Sequence, residues 1–200
     1  MAALPIAIIT GASAGIGDAL VREAAEDGYQ EVLVARRKDR MVALAETLPG
    51  EPQILELDLL DPDACDTLVG FVDSLPGRVE VLVNNAGFGR AGLFVDGPAD
   101  TDLEMIDLNV GIVVELTHRL LPSILEARTG GILTVASTAA YQPGPCAAVY
   151  YATKAFVLSF SEALCEETRR QSITVTALCP GPTETEFFAL AKMERVWLRA

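Results

Sequence analysis

Histidine is almost missing from this chain of 200 residues, tryptophan occurs once, and the four cysteines Cys65, Cys146, Cys165 and Cys179 lie far apart. With no C-x-x-C pair and only His118 to assist, neither a zinc site nor a dithiol redox centre is encoded. Reduced, mostly buried thiols in a cytoplasmic protein are the expectation. No apolar run approaches the ~20 residues that a bilayer-spanning helix requires. The apolar stretch from Met1 to Ile9 lacks a basic flank and runs straight into a glycine turn, so it reads as a core strand and not as a signal peptide. Positive charge is scarce too: Lys and Arg number 15 against 28 Asp and Glu, a formal charge of −13. Such a surface repels nucleic acid and anionic membranes at long range, which leaves small molecules as the expected partners.

What the chain does have is hydrophobic residues, half of its length, in short β-branched runs that alternate with amphipathic segments. That alternation predicts a parallel sheet covered by helices. Strands are expected at Ile6–Ile9, Val32–Val34, Gln53–Leu57, Val79–Val83, Gly131–Ala136 and Ile173–Leu178. Helices fit at Gly15–Asp27, Asp39–Thr47, Pro62–Leu75, Asp100–Ala127 and Ala148–Arg170, with Gly28, Gly50, Gly77 and Gly130 near their ends. Right-handed crossovers and one switch point give a doubly wound, Rossmann-type α/β fold of strand order 3-2-1-4-5-6 with helices on both faces. Repeats and linkers are lacking, so residues 1–200 read as one domain. Gln142–Pro145, rich in Pro and Gly, is a loop that orders the approach to the last helix.

Strand one ends in Thr10-Gly11-Ala12-Ser13-Ala14-Gly15-Ile16-Gly17 and opens into a helix. Glycines at this spacing let the backbone turn sharply and approach a pyrophosphate, which the free N–H groups of a helix N-terminus attract. An ordinary tight turn would look similar. After strand two, where a carboxylate normally holds the adenosine ribose hydroxyls, the sequence reads Ala35-Arg36-Arg37-Lys38. Guanidinium groups suit a 2′-phosphate, so NADP(H) is expected in preference to NAD(H). The alternative is a solvated charge run, although cations at a helix start oppose the dipole. Asp58 is placed to accept from an adenine amino group, and Asn84-Asn85-Ala86-Gly87 closes strand four beside the same cleft; either could instead be a turn residue.

Tyr150 and Lys154 face one side of a helix at i and i+4, about 5–6 Å apart at Cβ. Neither Tyr141 nor Tyr151 has a lysine four residues on. A lysine beside a phenol favours phenolate, so Tyr150 is the candidate acid/base, its pKa drawn down by Lys154 and an oxidised nicotinamide. Ser137, at the end of strand five, can hold a substrate oxygen as charge develops. Asn109 is an unfavourable residue in mid-helix that disrupts the helix locally or binds water, unless it lies on an exposed polar face.

Together these residues resemble the short-chain dehydrogenase/reductase family in its single-domain branch, over about Leu4 to Phe188. The resemblance implies a catalytic tetrad of Asn109, Ser137, Tyr150 and Lys154. It implies a cofactor site drawn from Gly11, Ser13, Ala14, Gly15, Ile16, Gly17, Arg36, Arg37, Asp58, Asn85, Ala86, Gly87, Tyr150, Lys154, Pro180, Gly181, Thr183 and Thr185. Asn109 would hold a relay water, and the activity would be hydride transfer between NADP(H) and a carbonyl or alcohol. Relatives commonly pair through the helices carrying Asn109 and Tyr150, so a homodimer is expected, with Ile112, Leu116, Phe156 and Phe160 at the faces. The family's seventh strand and last helix have no counterpart before Ala200. This raises the alternative of a catalytically impaired dinucleotide-binding or sensor protein, or of an assembly module that merely kept the fold, and predicts strand six as an open edge.

Overall fold

The computed structural model describes residues 4–183, 186 and 191. Among these residues six parallel strands form one sheet in the order β3-β2-β1-β4-β5-β6, as the sequence predicts. They are β1 (Pro5–Thr10), β2 (Gln30–Ala35), β3 (Gln53–Glu56), β4 (Arg78–Asn84), β5 (Gly131–Val135) and β6 (Thr174–Leu178). Residues 6–10 of β1 are all buried, the pattern of a central parallel strand covered on both faces. Alternation along the strands then divides the core. Ile6, Ile8, Val32, Val34 and Leu82 face one layer, while Ala7, Ile9, Leu33, Ala35 and Val83 face the other.

The first layer is α3 (Ala64–Asp73) with α5 (Ile112–Ala127); the second is α1 (Ile16–Glu26) with α2 (Lys38–Ala45). In α5 the positions Val113, Leu116, Leu120 and Ile124 recur every three or four residues and are buried against the sheet. α4 (Ala99–Ile106) joins α5 through a π-helical turn, Asp107–Gly111, making one helix of 29 residues. By length and composition alone this helix could cross a membrane, contrary to the expectation that no run is long enough. Its apolar stripe is spent on the sheet, and it carries buried Asp102 and Asn109, so it serves as a core helix. The last long helix, α6 (Ala148–Thr168), buries Tyr150, Lys154, Val157 and Leu164.

Among the described residues β6 is an edge of the sheet, with Thr174, Thr176 and Leu178 exposed. Of the cysteines only Cys65 is buried; Cys165 is exposed and Cys146 and Cys179 lie between, so the thiols are less buried than expected. Burial pushes the Cys65 thiol up to about 11. The strand order reverses between β1 and β4, and there the chain turns away on both sides at the carboxyl ends of the strands. A doubly wound sheet opens a cleft at such a place.

Candidate active site

The cleft is built on Thr10. Its hydroxyl donates to the Val83 carbonyl at 3.1 Å and accepts the backbone N–H groups of Asn85 and Ala86, each at 3.0 Å, which ties β1 to the end of β4. The Asn85 amide reaches back to the carbonyls of Thr10 and Gly11 at 2.8 and 3.1 Å. Packing here leaves no room for side chains. A Cβ on Gly11 would fall 2.7 Å from Asn85 Nδ2, and one on Gly17 would fall 2.2 Å from the Gly11 carbonyl oxygen. Gly11 also takes a φ of 67°, which favours glycine. Bare backbone is thus presented in front of the N-terminus of α1, where N–H groups lack intrahelical partners.

Behind this turn stands the basic cluster. Arg37 donates from Nε and Nη2 to Ser13 Oγ at 3.2 and 3.1 Å, so the second arginine is the one folded onto the glycine turn. Arg36 leans the other way, 3.5 Å from Asp58, with most of its side chain in solvent. Asp58 also accepts from the Leu60 N–H at 3.1 Å, a turn role that accompanies its position in the cleft. These groups suit a phosphorylated adenosine: glycine backbone and a helix N-terminus for a pyrophosphate, two guanidinium groups for a further phosphate, and the apolar Leu57 and Leu59 nearby for a base.

At the far end α6 brings Tyr150 and Lys154 together. Lys154 Nζ lies 5.9 Å from the centre of the Tyr150 ring and donates to the Val135 carbonyl at 2.7 Å. Burial lowers the Lys154 ammonium to about 8, opposed only by the nearby Cys179 thiol. Burial also dominates Tyr150 and raises its pKa above that of a free phenol; hydrogen bonding with Ser137 pulls the other way. Burial is thus the largest influence of the protein on this phenol, whereas the expectation is of a phenol drawn down by Lys154 together with an oxidised nicotinamide. Ser137 caps the turn Thr138–Tyr141 by accepting the Ala139 N–H at 3.1 Å, which fixes its hydroxyl beside Tyr150.

Asn109 is 2% exposed, which rules out the polar-face alternative. Its carbonyl accepts the Phe88 N–H at 3.1 Å, and its amide donates to the Phe88 carbonyl at 2.9 Å and to Thr153 Oγ1 at 3.1 Å. The residue sits in the π-helical turn, so the local helix defect read from the sequence is present. Its side chain pins the segment after β4 to α6, and Gly87 is required there because a Cβ would lie 2.8 Å from Asn109 Oδ1. The Pro/Gly loop does order the approach to α6: a Cβ on Gly144 would strike the Tyr151 ring at 2.2 Å.

One cleft of about 670 Å³ collects Gly11, Ser13, Ala14, Gly15, Ile16, Arg36, Arg37, Asp58, Asn85, Ala86, Gly87, Ser137, Tyr150, Lys154, Pro180, Gly181 and Thr183. Gly17 and Asn109 lie behind its wall and shape it, and Thr185 lies outside the described residues. Sequence reasoning placed Thr10 at the start of the glycine turn but missed its hub role, which has no signature beyond its place before Gly11. It also missed Tyr151, Glu104 and Glu186, which line the cleft through folding alone.

The chain matches the family model for short chain dehydrogenases over residues 5–195. It belongs to the short-chain dehydrogenase family. This short-chain dehydrogenase is 35% identical over 188 residues to a short chain dehydrogenase of Pseudocercospora fijiensis, covering 92% of this chain and 61% of that protein. It is 37% identical over 190 residues to sulfoacetaldehyde reductase 2 of Chromohalobacter salexigens, covering 91% of this chain and 74% of the relative. Among solved structures, a short-chain dehydrogenase from Sphingobium yanoikuyae in complex with NADPH superposes with a TM-score of 0.87 at 34% identity, over 94% of this chain and 75% of that one. A 3-ketoacyl-(acyl-carrier-protein) reductase from Brucella melitensis complexed with NADH gives 0.86 at 31%, over 95% and 81%. The oxidoreductase family and its fold are thereby established, and of these two neighbours one holds NADPH and the other NADH.

Proposed function

We propose that this short-chain dehydrogenase is an NADP(H)-dependent oxidoreductase that interconverts a small carbonyl compound and its alcohol, with Tyr150 moving the proton. The observation that carries the reading is the convergence of Tyr150, Ser137 and Lys154 at one end of a cleft whose other end holds Arg37 on the glycine turn. When bound there, a nicotinamide dinucleotide supplies or accepts the hydride. The protein's residues do the rest. A phenol with a raised pKa stays protonated at neutral pH and donates to a carbonyl oxygen as charge builds on it, which favours reduction. The Ser137 hydroxyl, held by its cap, bonds the same oxygen. Lys154, fixed by Val135, presents its remaining donors to ribose hydroxyls, while Ser13, Arg37 and Arg36 take the phosphate on the adenosine. Asn109 keeps Phe88 and the segment before it in place, and Thr183 closes the site from beyond β6.

Substrates reach the protein in the cytoplasm, and the active form is a homodimer. Leu116 does not contribute to that contact, since it is fully buried, and Ile112 and Phe160 are packed into the core. The exposed Leu103, Ile106 and Phe156 on α4 and α6 form the face instead.

The test is to titrate NADPH and NADH by fluorescence, then follow NADPH loss with ketones, aldehydes and 3-oxoacyl thioesters. Turnover that Tyr150→Phe abolishes, with NADPH affinity nearly intact, is the expected result. Binding without turnover of any substrate would mean a dinucleotide-binding protein that no longer catalyses.

A further inference from the structure

Two guanidinium groups of the basic cluster converge on one carboxylate. Arg37 Nη1 donates to Glu186 Oε2 at 2.8 Å and Arg40 Nη1 donates to Glu186 Oε1 at 2.7 Å. The partners are 149 and 146 residues apart in sequence, so only the fold unites them. Arg37 holds Ser13 with its other two nitrogens, and Glu186 lines the same cleft as Ser13, Arg36 and Asp58. A carboxylate that takes one N–H donor from each of two guanidinium groups is an anion seated in an anion site, and a phosphate monoester offers three oxygens to the same donors.

Resting on the cofactor reading above, we infer that Glu186 is a specificity-determining residue that competes with the 2′-phosphate of NADP(H) for Arg37 and Arg40, and that Arg40 is a further arm of the phosphate site. A 2′-phosphate entering between the arginines must displace the carboxylate or lie beside it at like charge, and either outcome lowers its affinity. NADH brings no charge to that place and leaves the Arg37–Glu186–Arg40 bridge intact. Glu186 therefore narrows the preference for the phosphorylated cofactor that the arginines create. All three side chains are about half exposed, which keeps the effect modest and sensitive to salt.

The probes are adenosine 2′,5′-bisphosphate and 5′-AMP, bound to the whole chain and followed by calorimetry at low and high salt, with no turnover required. Wild type is expected to prefer the bisphosphate. Glu186→Gln should tighten the bisphosphate by about three- to tenfold and leave 5′-AMP within about twofold, with the gain shrinking at high salt. Arg40→Ala should weaken the bisphosphate alone and remove most of the gain from Glu186→Gln in the double variant. If wild type prefers the bisphosphate but Glu186→Gln changes neither ligand, or both equally, the competition is refuted and the cofactor reading stands. If wild type binds the two ligands equally, the 2′-phosphate reading itself fails and takes this inference with it. Glu186→Lys guards against a trivial null from Gln: it should tighten the bisphosphate further, and its failure to do so counts against competition.

Discussion

Tyr150 and Lys154 show how far a single residue's neighbourhood governs its chemistry. Both are buried, and burial disfavours the charged form of each, raising the phenol and lowering the ammonium. For Lys154 the sign is clear. Its folded pKa of about 8 lies below the unfolded value of 10.5, so native protein carries a penalty below pH 8 that is relieved as pH rises toward 10.5. That penalty is about 3 kcal/mol before its bond to Val135 is counted. Lys154→Met should therefore be most stable relative to wild type below pH 8, the difference narrowing up to pH 10.5. Denaturant unfolding at pH 7 and pH 10 measures it, and a widening difference would contradict the burial argument. Glu31 tells a similar story in β2. It is 2% exposed, Oε1 has no hydrogen-bond partner among the described residues, and burial raises its pKa. An acid raised in this way destabilises the fold as pH climbs past the ordinary carboxylate range, so Glu31→Gln should raise Tm at pH 7 by more than at pH 4. For the basic cluster, Arg37→Ala should weaken NADPH more than Arg36→Ala does, because Arg37 and not Arg36 is folded onto Ser13.

Among the elements, the segment after β4 is the best determined. Asn109 holds Phe88 by two backbone bonds, and two residues further Arg90 grips Asp102 of α4 through a bidentate pair at 3.0 and 2.8 Å. Only 20% of the Arg90 side chain and 8% of that of Asp102 are exposed, so neither charge tolerates the loss of its partner. Arg90→Met should cost about 3 kcal/mol, read as a fall in Tm. Elements such as these divide what sequence can reveal from what it cannot. Short β-branched apolar runs located the strands, since a central parallel strand is buried on both faces, and Tyr150 stood out through a lysine one turn away. The π-helical turn was half legible: an asparagine in mid-helix signals a defect, but its partners Phe88 and Thr153 are known only once the chain has folded. Leu116 misled because an apolar residue on a helix reads alike whether it faces a sheet or a second subunit. The bridge at Glu186 left no trace, being a surface contact between distant segments.

The molecule as a whole is strongly acidic, at a net −13, yet Arg36 and Arg37 line its cleft, with Lys38 and Arg40 next to them in sequence. The surrounding charge repels anions at long range, so binding must rest on short contacts within the cleft. Assembly belongs to the same scale. The exposed Leu103, Ile106 and Phe156 predict a dimer in sedimentation at micromolar concentration that Phe156→Glu dissociates; monomer alone would remove the homodimer. The central claim is that the cleft performs proton-coupled hydride transfer and does not merely bind a dinucleotide. Its most direct test is the NADPH-consuming rate of wild type beside Tyr150→Phe on a reactive ketone or aldehyde. We predict turnover in wild type and a loss of at least about a hundredfold in the variant, with NADPH binding retained; equal rates in the two proteins would contradict it.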